Sequence, residues 1–231
     1  MFDFMGHYYK LFLQGAGLTI IISIIGIAIG ILLGLGLVLL RRSRFKALQW
    51  ISRIYVSIVR GTPSMIQVML IYYSISKGLQ ISQAQLLGSG LDRIIPGSIA
   101  LGLNSAAYTS EIFRSGIISV PDGQMEAGLS LGMSERTTLF SIILPQAVRN
   151  ILPAMGNEFI TLIKESSVLF YIGVQEVTAQ ALGVGGTLYD YVPPLIVAAV
   201  IYWILTTVMA QILSFMEKKM GQKYSTAAES N

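Results

Sequence analysis

Apolar residues run along this chain in long blocks, not in the short alternations of a half-buried sheet. Residues 11–40 carry no charged side chain. Crossing a hydrocarbon core of roughly 30 Å takes about 20 apolar residues, so this block alone is long enough. Four more blocks follow, and the pattern predicts spans at about 18–40, 51–76, 94–118, 151–174 and 191–216, an all-α membrane protein. In the first, Gly26, Gly30 and Gly34 recur every fourth residue, which puts them on one helix face where a neighbouring backbone can approach. The second opens as an amphipathic, basic stretch at 50–60 and is kinked at "RGTP" (60–63), because Pro63 removes a backbone donor. A polar loop at 77–93 separates it from the third. The fourth block is the least apolar, holding Pro153, Asn157, Glu158, Lys164 and Glu165.

Charge decides how many blocks cross. "RRSRFK" at 41–46 places four basic residues beside the first span, and a Lys/Arg excess marks the cytoplasmic side. With five spans, Lys218, Lys219 and Lys223 fall on that same side, and the stretch 182–191, which has no Lys or Arg, falls opposite. With four they do not. The expectation is five transmembrane helices with the N-terminus outside and the C-terminus cytoplasmic, in a single transmembrane domain over 1–223, with 224–231 as a disordered tail. The start lacks a basic n-region and its apolar block far exceeds a signal h-region of roughly 7–15 residues, so it reads as a retained span.

Composition agrees. Of 231 residues 53% are hydrophobic and 12% charged, half the roughly one quarter of a soluble domain. There is no cysteine and one histidine, His7, which leaves neither thiolate chemistry nor a zinc set, so no metal site and no catalytic residues are expected. The net charge of +4 comes from the ends of apolar blocks, not from a stripe that would hold nucleic acid.

The longest polar interruption, 119–150, becomes a cytoplasmic loop between spans three and four. Its core is "MEAGLSLGMSERTTLFSIILPQAVRN" (125–150). Asp122 suits an N-cap, Gly132 a left-handed C′ position, and Ser134 the cap of a second short helix that Pro145 disrupts. Glu126-Ala127-Gly128, then Gly132, then Ile142-Ile143-Leu144-Pro145 resembles, in order and spacing, the "EAA" loop of ABC importer permeases, with Gly128 where alanine is usual. "VRGTPSMIQVMLIYY" (59–73), "LNSAAYTSEIFRSGI" (103–117) and "GNEFITLIKESSV" (156–168) are similar to the polar amino acid uptake branch, over about residues 11–217.

The resemblance implies a transport subunit, not an enzyme, in a bacterial-type plasma membrane. It would work with two cytoplasmic ATP-binding subunits, a second permease copy (identical or a sister chain) and an external substrate-binding protein delivering a polar amino acid. The chain lacks a G-x-x-x-x-G-K-[ST] phosphate loop, so ATP and magnesium would sit on the partner. Glu126, Ala127, Gly128, Gly132 and Pro145 would form the coupling element, and ATP-driven closure would switch the spans between two access states.

Ionisable groups at bilayer depth cost roughly 2.5–3.5 kcal/mol on insertion scales and usually face a cavity or partner. Glu158, Thr161 and Glu165 share one face, with Lys164 to the side. Asn104, Tyr108 and Glu111 share another, with Ser105 beside it. Either set could line a substrate pathway, and either could be structural: solvated near the outer surface or paired with an acid in the first, inter-helix hydrogen bonds in the second. Glu111 and Arg114, three apart, read as a mutual ion pair. Arg60 reads as an anchor at the end of span two or as a gate. A membrane-embedded enzyme lacks a nucleophile–base set. An ion-coupled secondary transporter or channel is the rival function, and it would leave the cytoplasmic loop without a task.

Overall fold

The computed structural model describes residues 2–78 and 84–229. Its elements are α1 (Met5–Arg41), α2 (Lys46–Gly61), α3 (Ser64–Gly78), β1 (Gln85–Leu86), β2 (Ser89–Gly90), α4 (Leu91–Ile118), α5 (Gly123–Ser130), α6 (Glu135–Thr138), a π-turn (Leu139–Ile143), α7 (Leu144–Glu165), a 3-10 turn (Ser166–Ile172), α8 (Val177–Leu188) and α9 (Val192–Glu229). The protein is mostly helical, with membrane-type helices. Among the described residues, α1 and the Val192–Lys218 part of α9 are each long and apolar enough to cross a membrane by themselves. Two bent pairs, one made of α2 and α3 and the other of the 135–172 run and α8, would each add one more if counted as a single span.

Several expected boundaries move. The first helix begins at Met5, well before 18, because nothing in 5–17 stops a helix. The block at 51–76 is not one helix: α2 and α3 meet at 111°, where Pro63 cannot continue the α2 hydrogen-bond ladder and Thr62 turns extended. The fourth block does not begin at 151. Helix runs without a break from Glu135 to Glu165, and Pro145 does not end it. The π-turn lies immediately before Pro145, which occupies the first turn of α7. Widening one turn accommodates a residue that has no N–H to give. The last helix is Val192–Glu229; 230–231 lie outside the described residues. The loop expected at 77–93 holds a minimal antiparallel hairpin, turned by Leu87 and Gly88 at positive φ, and its positions 79–83 also lie outside them.

Helix α4 stands at the centre, packed by α1, α3 and α7. That position explains its polar content. Asn104, Ser105, Thr109 and Ser110 are buried and not turned to lipid; the first three bond to neighbouring helices and Ser110 donates to the Ala107 carbonyl of its own helix. The glycine face of α1 lies on it. A Cβ on Gly30 would come within 2.9 Å of Ser105 Cβ, and one on Gly34 within 2.9 Å of Thr109 Cβ. The approach lets Thr109 Oγ1 donate to the Gly30 carbonyl at 3.0 Å, a bond only a small residue would permit. The main apolar core joins Leu18 and Ile22 of α1 to Val68, Leu101, Leu162 and Leu169. A second core joins α1 to α8 and α9 through Phe12, Val177, Val184 and Ala198. Gly30→Leu is expected to separate α1 from α4, costing about 1–3 kcal/mol by overpacking; a lower melting temperature of the purified protein, with Gly36→Leu (no atom within 4 Å of its added Cβ) unaffected, checks it.

Candidate functional site

The polar stretch folds as α5, a tight turn and α6. Asp122 occupies the N-cap position but its side chain caps nothing: its backbone is already helical, at φ −58° and ψ −29°, which carries the carboxylate away from the first N–H groups. Gly132 does take the left-handed conformation, φ +80°. Its N–H donates to Leu129 O at 2.9 Å and the Met133 N–H to Gly128 O at 3.1 Å, the paired closure of a Schellman motif. Ser134 caps α6, accepting from Thr137 N at 3.1 Å. Glu126 and Ala127 are exposed on α5, whereas Gly128 is buried. A Cβ there would fall 2.6 Å from Thr138 Oγ1, and Thr138 is itself buried. The departure from alanine thus has a partner: Thr138 fills the space an alanine methyl would need. Pro145 sits on α7, across the π-turn from this contact.

The membrane-level residues fall into separate contacts. Ser105 Oγ donates to Glu158 Oε1 at 2.7 Å, which joins the α4 face to the α7 face. Asn104 Nδ2 donates to Gln67 Oε1 at 3.0 Å. Gln67 Nε2 donates in turn to Val59 O at 2.8 Å and to Thr62 Oγ1 at 2.7 Å, so Asn104 is linked to the Pro63 bend. Tyr108 is half-buried with the Arg60 guanidinium 5.6 Å above its ring, within cation–π range. Thr161 donates to its own helix at Asn157 O, 3.0 Å. Lys164 is exposed and Glu165 half-buried at the end of α7. Glu111 accepts from Arg114 Nε at 2.7 Å and also from Arg41 at the end of α1. The two expected polar faces therefore touch at Ser105–Glu158; Tyr108, Thr161 and Lys164 make no hydrogen bond across the faces.

The family described as "Binding-protein-dependent transport system inner membrane component" matches residues 26–222. The chain belongs to this family. It is 39% identical over 208 residues to the "Arginine transport system permease protein ArtQ" of Bacillus subtilis (strain 168), covering 90% of this chain and 91% of that one. To the "L-cystine transport system permease protein TcyB" of the same organism it is 35% identical over 216 residues, covering 93% and 88%. Among solved structures it is similar to "Crystal structure of an amino acid ABC transporter with histidines", with a TM-score of 0.85 at 36% identity, covering 95% of this chain and 98% of that chain. It is a multi-pass membrane protein and a permease of the amino acid ABC transporters.

In this permease one buried carboxylate escaped sequence reasoning. Glu176 is fully buried and is the N-cap of α8. Its Oε1 accepts from Ala179 N at 3.0 Å, its Oε2 from Thr178 N at 3.0 Å, and Tyr202 of α9 donates to the same Oε2. Thr178 Oγ1 lies 3.0 Å from the Tyr202 hydroxyl. A carboxylate so supplied is satisfied where bare burial would cost far more, and it locks α8 to α9. Glutamate is not among the residues that usually mark an N-cap, and its partner Tyr202 lies 26 residues on, so nothing local in the sequence pointed to either. Gln67 has no signal of its own: it is a single polar residue between Ile66 and Val68, and its partner Asn104 lies 37 residues on.

Proposed function

We propose that this chain is the permease of an ATP-driven importer that moves a polar amino acid into the cytoplasm by alternating access. It crosses the membrane five times, through α1, α3 with α2 folded against the inner surface, α4, the 144–172 run, and α9. The N-terminus lies outside and the C-terminus inside. Two ATP-binding subunits carry ATP and magnesium, a second permease copy completes the pathway, and an external receptor supplies the substrate.

The observation that carries this reading is α5. An eight-residue helix, exposed at Glu126 and Ala127 and closed at Gly132, rests through Gly128 on an unbroken helix leading to Glu158. That is the arrangement expected of a part pushed by a partner. The substrate pathway runs along Asn104, Ser105, Tyr108, Glu158, Thr161, Lys164 and Glu165, with the Glu111, Arg114 and Arg41 cluster holding the inner ends of α1 and α4 together. Proteoliposomes holding the permease, the ATP-binding subunits and the receptor should take up labelled polar amino acid only with ATP and magnesium inside. Uptake driven by an ion gradient without ATP would assign the chain to the secondary transporters. Cysteines at Gly183 and Gly123, where an added Cβ meets no atom within 4 Å, should be labelled from outside and from the cytosol respectively.

Glu158→Gln keeps the size of the side chain and removes its charge. It is expected to lower transport about 10- to 100-fold, the equivalent of roughly 1–3 kcal/mol for a buried polar group stripped of a matched partner. Assembly with the ATP-binding subunits should be unchanged. Unaltered uptake kinetics would make the Ser105–Glu158 contact a structural one.

A further inference from the structure

Four arginines converge where α1, α2 and α4 end on the "RRSRFK" side. Arg41, Arg42, Arg53 and Arg114 line a cleft of about 370 Å³ together with Val38, Ile117 and Ile118. One carboxylate, Glu111, answers both Arg41 and Arg114. Among the described residues no acid pairs with Arg42 or Arg53. The cleft is thus cationic at one end and apolar along the wall made by Val38, Ile117 and the exposed Ile118.

Its surroundings point to lipid. Helix α2, which forms one side, buries Ser52 and Val56 against the bundle and leaves Trp50, Ile51, Ile54 and Ile58 exposed along one face. Lys46, Arg53 and Arg60 recur every seventh residue beside that face. An amphipathic helix with aromatic and aliphatic residues on one side and a basic edge lies in the plane of the headgroups. The 111° bend to α3 gives α2 that orientation in a chain that spans the membrane. A cleft at this level, with guanidiniums beside apolar side chains, matches a phosphodiester with acyl chains attached.

We propose that the Arg41/Arg42/Arg53/Arg114 cleft binds the headgroup of one anionic phospholipid, its chains running past Val38 toward the bilayer, and that this lipid fastens α2 to the bundle. The complete transporter, permease with its ATP-binding subunits, is purified from bilayers of phosphatidylcholine mixed with phosphatidylglycerol. Retained lipid is then counted by native mass spectrometry as detergent is exchanged. Wild type should keep phosphatidylglycerol after phosphatidylcholine is gone. Arg42→Gln/Arg53→Gln, which spares the pair with Glu111, should retain on the order of tenfold less, since each basic residue near a charged leaflet contributes about 1 kcal/mol. Arg42→Lys/Arg53→Lys, which keeps the charge, should retain most of it. Equal retention by wild type and the glutamine variant overturns the proposal. So does equal loss in the glutamine and lysine variants, which would make the effect one of packing. Displacement of the lipid by millimolar inorganic phosphate overturns it too, because the cleft would then be a site for free phosphate.

Discussion

Gly132→Asp is expected to leave the membrane helices inserted and to uncouple transport from ATP almost completely. At φ +80° a side chain costs roughly 1–2 kcal/mol, and a carboxylate at the C-terminal end of α5 meets the negative pole of the helix dipole. No atom lies within 4 Å of the Cβ position, so the effect is not one of crowding. It is conformational: relieving the strained angle breaks the closure through Met133 and Gly128 and re-aims Glu126 and Ala127. Asparagine and aspartate both enter the left-handed region more readily than most non-glycine residues, but asparagine brings no charge to the helix end, so Gly132→Asn should keep much of the activity that aspartate loses. Co-purification of the ATP-binding subunits and substrate-stimulated ATP hydrolysis measure it. If Gly132→Asp leaves both at wild-type level, α5 is not the coupling element.

Gly128→Val should be as severe by a different route. The new branch points run into Thr138, whose Oγ1 is already 2.6 Å from where a Cβ would lie. Overpacking typically costs about 1–3 kcal/mol, and an isolated eight-residue helix has little stability of its own to absorb that. α5 should lift from α6, again with transport lost and membrane levels kept. The pairing makes this checkable in a way the glycine alone does not. Gly128→Ala should impair uptake by itself, and adding Thr138→Ala, which vacates the clashing atoms, should restore a large part of it. A double variant no better than Gly128→Ala would show that the contact is incidental.

What the sequence made legible follows the range of each interaction. Ser134 and Gly132 act within three or four residues of themselves, and both roles can be read from residue type. The glycine face of α1 has a period, so its packing was visible although its partner, α4, was not. Pro145 misled because proline usually ends a helix, and only the preceding π-turn lets the helix pass. The contacts that organise the polar residues lie far apart in sequence. Ser105 meets Glu158, Asn104 meets Gln67, Arg41 meets Glu111 and Glu176 meets Tyr202. Each needs the bundle assembled before its partner is defined, and a helix periodicity carries no such information. Asp122 shows the converse limit, since the right residue in the right place does not cap when its backbone turns helical one residue early.

The unbroken helix from Glu135 to Glu165 has a mechanical reading. Its middle is clasped on two sides: a Cβ on Gly116 of α4 would strike Ile151, and one on Gly156 would strike Leu213 of α9. Thr138 lies about 20 Å to one side of Ile151 and Glu165 about 20 Å to the other, at 1.5 Å per residue. Such a rod is a seesaw with nearly equal arms. Tipping it by roughly 10° about its clasp carries each end about 3 Å, in opposite directions. A sideways push at Thr138 by a partner of the kind proposed above would be delivered as an opposite swing of Lys164 and Glu165.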